Sequence, residues 1–156
     1  MTTPDTALVV GAGDSLGAAL ARRFAREGLK VVVVRRNADQ LQPLADSIKA
    51  AGGTVHAMGC DARKEDQVVS LFERIERDIG QLEVVVANVG GNIRFPLLEM
   101  TAQKYFKVWE MACFSAFLTA RGRRAHVGGR AGGARDHRRG QPGVHRVEGS
   151  ARDAAL

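Results

Sequence analysis

The fold is decided by the stretch Leu8-Val9-Val10-Gly11-Ala12-Gly13-Asp14-Ser15-Leu16-Gly17. A short apolar run ends in three glycines, and an alanine-rich helical pattern follows at once. Glycines let the backbone bend sharply and approach a ligand closely, and the free N–H groups in the first turn of a helix attract an anion, usually a pyrophosphate. The stretch therefore predicts a strand, a glycine turn and a helix that together bind a dinucleotide.

Strand and helix patterns alternate through the first 120 residues. The predicted strands are Ala7–Val10, Lys30–Val34, Thr54–Met58 and Leu82–Ala87. The predicted helices are Leu16–Gly28, Ala38–Ala51, Lys64–Ile79, and a long helix from the N-cap Thr101 to about Ala120. Because of Pro43, the second of these helices is expected to start at Leu41 or Gln42. This alternation indicates βαβ units with right-handed crossovers and a parallel sheet.

Charge and cysteine content narrow the class of protein. All of the net charge of +6 lies in the last 36 residues, because the 14 basic and 14 acidic residues of positions 1–120 balance. Cys60 and Cys113 are too few for a disulfide framework, which favours a reducing compartment and a cytoplasmic location. No apolar run approaches the roughly 18 residues that span a bilayer, so no membrane partner is expected.

The first 120 residues resemble the short-chain dehydrogenase/reductase family. The family's glycine turn, Thr-Gly-x-x-x-Gly-x-Gly, matches here at Gly11 and Gly17, whereas Val10 and Ser15 depart from it. The family's Asn-Asn-Ala-Gly after the fourth strand corresponds to Ala87-Asn88-Val89-Gly90. The resemblance implies an α/β fold with a Rossmann-type, doubly wound parallel sheet in strand order 3-2-1-4. Only about four strands are present, so Leu82–Ala87 would form an exposed apolar edge.

Two arginines follow the second strand, where members of the family that prefer NAD have an acid. Arg35 and Arg36 suit the 2′-phosphate of NADP through charge and bidentate geometry, although a pair of solvated surface arginines is the alternative. Asp61 and Ala62 stand where the family contacts the adenine, and Asp61 could instead only cap the next helix. NADP is the expected cofactor, with NAD as the second choice. The predicted cofactor-binding residues are Gly11, Gly13, Asp14, Ser15, Leu16, Gly17, Arg35, Arg36, Asp61, Ala62, Asn88, Val89 and Gly90.

The family's catalytic residues are a Ser, a Tyr and a Lys four residues after the Tyr. Tyr105 is the single tyrosine here, it lies on a different predicted helix, and Trp109 stands four residues after it. We therefore expect no catalytic residues, a chain truncated before them, and no hydride transfer. The family interconverts alcohols and carbonyls as homo-oligomers, but the same assembly is not expected of this chain.

Residues 121–156 differ in composition from the rest. They are rich in Arg and Gly, they contain no Ile, Met, Phe, Tyr or Trp, and their histidines lack metal-ligand spacing, so we expect disorder and no metal site. Three interpretations remain open: a shifted reading frame, which we favour; a basic arm that binds nucleic acid, the alternative function for the protein; and an inert tail. The domains are then 1–120, the nucleotide-binding part, and 121–156, the tail.

Overall fold

A parallel sheet of four strands is the centre of the computed structural model, which describes residues 5–91 and 94–127. The strands are β1 (Thr6–Val10), β2 (Lys30–Arg35), β3 (Val55–Gly59) and β4 (Leu82–Ala87). They lie in the order β3-β2-β1-β4, and every neighbouring pair is parallel. The predicted fold class and strand order are confirmed.

The helices alternate with these strands. Their bounds are α1 (Leu16–Arg26), α2 (Gln42–Ala50), α3 (Glu65–Asp78), α4 (Ala102–Trp109) and α5 (Ser115–Val127). A 3₁₀ turn at Ala38–Leu41 precedes α2, whose Pro43 lies in its first turn as predicted. Proline is tolerated there because the first N–H groups of a helix have no partner within the helix.

The two faces of the sheet carry separate parts of the core, because successive side chains of a strand point to opposite faces. Val32 and Val34 pack with Phe72 and Ile75 of α3. Val31 and Val33 pack on the other face, with residues of α1 and α2. All four valines of β2 are fully buried, which explains its continuous apolar run.

Strand β4 is an edge of the sheet within the described residues. It pairs with β1 alone, and Val84, Val85 and Val86 are only half-buried, whereas every residue of β1 is buried. Within residues 5–91 and 94–127, β4 is therefore the exposed apolar edge that the sequence predicts.

In that same part of the chain, no helix combines the length and the apolar character that crossing a membrane requires.

The last predicted helix is interrupted by a π-helical turn. Thr101 caps α4 as predicted, and its Oγ1 accepts a hydrogen bond from the Lys104 N–H at 3.3 Å. The backbone then forms a π turn at Glu110–Phe114 before α5 begins. No side chain of α4 is fully buried, and Tyr105, Phe106 and Trp109 are exposed. Helix α4 thus leaves large apolar side chains uncovered within the described part of the chain.

Helix α5 continues past Ala120, so the prediction of disorder from Arg121 is wrong for residues 121–127. Leu118 and Gly122 are buried against the α3 side of the core, and the Arg121 guanidinium forms an ion pair of 2.8 Å with Glu65. Side chains from the first residues after Ala120 thus contribute to the fold. Residues 128–156, on which the rest of the tail prediction depends, lie outside the described residues.

Candidate dinucleotide-binding site

A cavity of about 320 Å³ opens at the carboxyl ends of the four strands. In open α/β sheets, ligands bind at this edge, between strands whose connections run in opposite directions. Here that crevice lies between β1 and β4, because β2 and β3 continue to the other side of β1. The lining residues are Val10, Gly11, Gly13, Val34, Arg35, Arg36, Cys60, Asp61, Ala62, Arg63, Asn88, Val89, Gly90 and Met111.

The glycine turn forms the floor of the cavity. Gly11 has φ +80°, a left-handed conformation that glycine adopts without strain, and its N–H donates to the Val34 carbonyl at 2.8 Å. The Gly13 N–H donates to the Gly11 carbonyl at 2.8 Å, which closes the turn. The backbone therefore runs close beneath the open space, as the sequence predicts for a site that holds a pyrophosphate.

Asn88 ties the end of β4 to the glycine turn. Its side-chain amide donates to the Gly11 carbonyl at 3.0 Å, and its backbone N–H donates to the Val10 carbonyl at 2.8 Å. The approach is close enough that a Cβ on Gly11 would lie 2.6 Å from the Asn88 carbonyl oxygen. Asn88 thus links the end of β4 to the turn that follows β1.

The start of α1 explains why serine is compatible with the middle of the motif. Ser15 has φ −101°, which lies outside the left-handed region that favours glycine. Gly17 is required for a different reason, because a Cβ there would lie 2.7 Å from the Ala12 Cα. Leu16 is exposed, and the first turn of α1 contains no acid, which leaves the N-terminal end of the helix dipole available to an anion.

Arg35 and Arg36 lie side by side at the end of β2 but face different neighbours. The Nη1 of Arg35 is 3.4 Å from a carboxylate oxygen of Asp14. Arg36 is exposed and close enough to Asp61 to lower the pKa of that carboxyl group. Both arginines are among the residues that line the cavity.

Asp61 is held by Arg63, a residue that the motif comparison did not identify. Its Oδ1 accepts from the Arg63 Nε at 2.9 Å, and its Oδ2 accepts from the Arg63 Nη2 at 2.7 Å. Arg63 also reaches Glu110 of the π turn, at 3.4 Å. The hydrogen bonds from Arg63 lower the pKa of Asp61 to about 2, with Arg36 contributing, so the carboxyl group is ionised at neutral pH.

Cys60 also lines the cavity, but its thiol is not a reactive group. Burial, together with the negative charges of Asp61 and Asp66, raises its pKa to about 11. Because the thiolate rather than the thiol is the nucleophile, Cys60 is inert near pH 7. We therefore assign it a packing role.

The structure brings most of the predicted cofactor-binding residues together. Those that line the cavity are Gly11, Gly13, Arg35, Arg36, Asp61, Ala62, Asn88, Val89 and Gly90. Asp14 stands beside Arg35 at the rim of a neighbouring cavity, while Ser15, Leu16 and Gly17 form the start of α1 behind the turn. Nine of the thirteen predicted residues thus line one cavity.

Sequence reasoning missed the contribution of the π turn. Its Met111 side chain lies against Gly91 and closes one end of the cavity. The Ser115 hydroxyl donates to the Met111 carbonyl, a group that the π register frees from its usual helical partner. No sequence pattern marks such a turn, because the apolar residues continue through it.

Tyr105 lies outside this cavity. It is exposed on α4 and lines a separate depression with Trp109, Cys113 and Gly91. The single tyrosine of the sequence is therefore not placed where it could act on a molecule bound over the glycine turn. The expectation that Tyr105 does not replace the family's catalytic tyrosine stays a prediction.

Comparison with known proteins gives one consistent result. The family described as short chain dehydrogenase matches residues 5–134. A fatty acyl-CoA reductase of Mycobacterium tuberculosis is 36% identical over 92 residues, which is 59% of this chain and 31% of that protein.

Solved structures agree in fold. A short-chain dehydrogenase from Rhodopseudomonas palustris is 44% identical with a TM-score of 0.73, covering 77% of this chain and 56% of that one. A metagenomic short-chain oxidoreductase in complex with NADP is 26% identical with a TM-score of 0.74, covering 79% and 56% respectively. The chain thus spans a third to a little over half of each of these proteins.

Proposed function

The chain belongs to the short-chain dehydrogenase family, and on that premise we propose that it binds NADP(H). It forms the cofactor-holding part of an oxidoreductase that interconverts an alcohol and a carbonyl group on a small-molecule substrate. The observation that carries this proposal is the pair Arg35 and Arg36 at the wall of a cavity whose floor is the glycine turn. Positive charge at that wall suits a 2′-phosphate, as a carboxylate would not.

The cavity offers a place for each part of the dinucleotide. The Gly11–Gly17 turn and the N-terminus of α1 would hold the pyrophosphate, because backbone N–H groups and the helix dipole favour an anion there. Arg35 and Arg36 would hold the 2′-phosphate of the adenosine ribose. Asp61 and Ala62 would hold the adenine and Asn88–Gly90 the nicotinamide end, since these residues line the cavity.

Arg63 supports the adenine end of this arrangement. Its bidentate pairing keeps the Asp61 carboxylate ionised and fixed in orientation. A carboxylate held in this way accepts hydrogen bonds from an amino group without further ordering, which lowers the entropy cost of binding. The related oxidoreductase solved with NADP supports the choice of cofactor by its fold and its bound molecule.

We propose that the 156-residue chain binds the cofactor without turning over a substrate. A bound nicotinamide supplies the hydride, but the reaction also needs a group that moves a proton at the substrate oxygen. The family's Tyr and Lys are absent from these 156 residues at the expected spacing, and Tyr105 lies outside the cavity. The expected result is no NADPH-linked rate with any carbonyl substrate, and a measurable rate would contradict this part of the proposal.

The cofactor preference is tested with the double variant Arg35→Asp/Arg36→Ala. Each charge-assisted hydrogen bond to a phosphate contributes about 1.5–3 kcal/mol and the variant removes two arginines, so we expect the affinity for NADPH to fall by about 100-fold or more. The affinity for NADH, which lacks the 2′-phosphate, is expected to change little. The measurement is the dissociation constant of each nucleotide by calorimetry. An unchanged affinity for NADPH would contradict the proposed role of these arginines.

The location and the assembly state stay predictions. The two cysteines are unpaired, with Cys60 buried and Cys113 exposed, which is consistent with the predicted reducing, cytoplasmic environment.

The alternative function, nucleic-acid binding by a basic arm from Arg121 onward, gains no support from the described part of the arm. Arg121 pairs with Glu65, and Arg123 donates to the Glu83 carbonyl at 3.4 Å.

A further inference from the structure

Arg35 reaches the glycine turn because of its position in β2. It occupies the same face of the sheet as Val31 and Val33, which pack against α1 and α2. Its side chain therefore extends toward the start of α1, where its Nη1 lies 3.4 Å from the Oδ1 of Asp14. Arg35 lines both the dinucleotide cavity and a second cavity, which is lined also by Asp14, Arg22 and Gln40.

The two carboxylates near the arginine pair are in different situations. Asp61, on the Arg36 side, already has both oxygens bonded by Arg63. Asp14, on the Arg35 side, is 94% exposed and makes its ion pair with Arg35. Asp14 is therefore the acid that interacts directly with one of the two guanidinium groups proposed to bind the 2′-phosphate.

A carboxylate at this position opposes the binding of a phosphate in two ways. It occupies an Nη1 donor that the phosphate needs, and its negative charge repels a group that carries nearly two negative charges at pH 7. A dinucleotide without the 2′-phosphate neither competes with Asp14 for Arg35 nor brings a charge that Asp14 repels. The negative charge of Asp14 thus acts selectively against the phosphorylated cofactor.

We propose that Asp14 is a specificity-determining residue that limits the preference for NADPH over NADH by pairing with Arg35. This inference rests on the proposed function, in which Arg35 and Arg36 hold the 2′-phosphate. In the absence of that phosphate, Asp14 holds the Arg35 side chain at the glycine turn. When the phosphate binds, Arg35 must give up its contact with Asp14. The 2′-phosphate therefore adds less to the binding affinity than it would if Arg35 had no anionic partner beforehand.

The test is the variant Asp14→Asn, which keeps the shape of the side chain and removes its charge. We expect the ratio of the dissociation constants of NADH and NADPH to rise by about three- to tenfold at low salt, with a smaller rise at about 0.5 M salt because of screening. Asp14→Glu keeps the charge and is expected to retain the ratio of the unmodified chain. An unchanged or lower ratio in Asp14→Asn would overturn the proposal.

A matched control is Glu27→Gln. It removes the same charge just beyond the other end of α1, more than about 15 Å from Asp14 along the helix axis. We expect it to leave the ratio unchanged, and an equal rise in both variants would overturn the proposal by indicating a general charge effect. Asp14 is exposed, so loss of folding is not expected, and unfolding of both variants in urea checks this.

The failure of this inference is distinguishable from failure of the proposed function. If Arg35→Asp/Arg36→Ala leaves NADPH affinity unchanged, the proposed phosphate site is wrong and the role of Asp14 fails with it. If the double variant weakens NADPH binding while Asp14→Asn leaves the ratio unchanged, the phosphate site stands and only the role of Asp14 is overturned.

Discussion

Replacing Gly11 with alanine tests the contact on which the candidate site is built. Gly11 has φ +80°, and its N–H is bonded to the Val34 carbonyl. A Cβ added there would lie 2.6 Å from the carbonyl oxygen of Asn88 and 2.8 Å from its carbonyl carbon. The substitution thus combines an unfavourable backbone conformation with an overlap between the new Cβ and the main chain of Asn88, which directly follows β4.

The magnitude follows from these two costs. The left-handed conformation costs an alanine about 1 kcal/mol relative to glycine. Relief of the overlap requires Asn88 to move, which weakens its hydrogen bonds to Gly11 and Val10, each contributing about 1 kcal/mol. We expect Gly11→Ala to lower the free energy of unfolding by about 2–4 kcal/mol in total.

The assay is urea denaturation followed by far-ultraviolet circular dichroism, with Gly13→Ala as the matched control. Gly13 lies two residues away in the same turn, and a Cβ there would meet nothing within 4 Å. Its φ is not in the left-handed region either. We expect the control to change stability by less than about 1 kcal/mol. Equal losses in the two variants would refute the reasoning, because only the contact with Asn88 and the positive φ distinguish the two positions.

Three further predictions concern other contacts. Asn88→Ala, which removes the amide that bonds the Gly11 carbonyl, is expected to cost about 1 kcal/mol in urea unfolding, and an unchanged midpoint would show that the tie contributes nothing. Because the pKa of Asp61 is lowered to about 2 by Arg63, its stabilising effect is complete above its ordinary value of 3.8 and is lost as the pH falls through about 2. Arg63→Met should flatten the stability profile between these pH values, and an equally steep profile in both proteins would argue against the pairing. Gly122→Ala is expected to cost about 1–3 kcal/mol in thermal or urea unfolding, because its Cβ would lie 2.7 Å from the Phe72 ring, and full stability would contradict the packing of α5 beyond Ala120.

The strands could be predicted from the sequence because each one carries a clear signal, whereas their order 3-2-1-4 was implied by the resemblance to the short-chain dehydrogenase/reductase family. The four valines of β2 indicate burial on both faces, and the glycine turn marks β1 as the strand that precedes the pyrophosphate site. The bounds of β4 agree fully with the prediction, those of β1 and β2 differ by one residue at one end, and β3 is shifted by one residue at both ends. Strong local patterns agree here with the global fold, which is why local reasoning sufficed.

The continuation of α5 could not be predicted, because composition describes a segment in isolation. Glycine and arginine in positions 121–123 indicate disorder when the rest of the molecule is ignored. In the folded chain, the missing side chain of Gly122 gives the Phe72 ring room to pack, and Arg121 finds Glu65 on α3. Tertiary contacts reverse the local preference at these residues.

Parts of the site were also beyond sequence reasoning. Arg63 follows Asp61 by two residues, a spacing that could have suggested an ion pair, but its second contact, to Glu110, joins residues far apart in the chain. The divergence of Arg35 and Arg36 follows from strand alternation, yet the partner of Arg35 depends on where the glycine turn directs Asp14. Motif spacing identifies which residues surround a ligand, whereas the pairing among those residues depends on the folded backbone.

The central claim is that this chain binds a 2′-phosphorylated dinucleotide over its glycine turn. The most direct measurement is a calorimetric titration of the 156-residue protein with NADPH, without substrate, repeated in the presence of 2′,5′-ADP. We expect saturable binding of one NADPH per chain and competition by 2′,5′-ADP, because both molecules present the same phosphate to Arg35 and Arg36. A folded protein that shows no heat of binding at millimolar NADPH, or binding that 2′,5′-ADP does not displace, would contradict it.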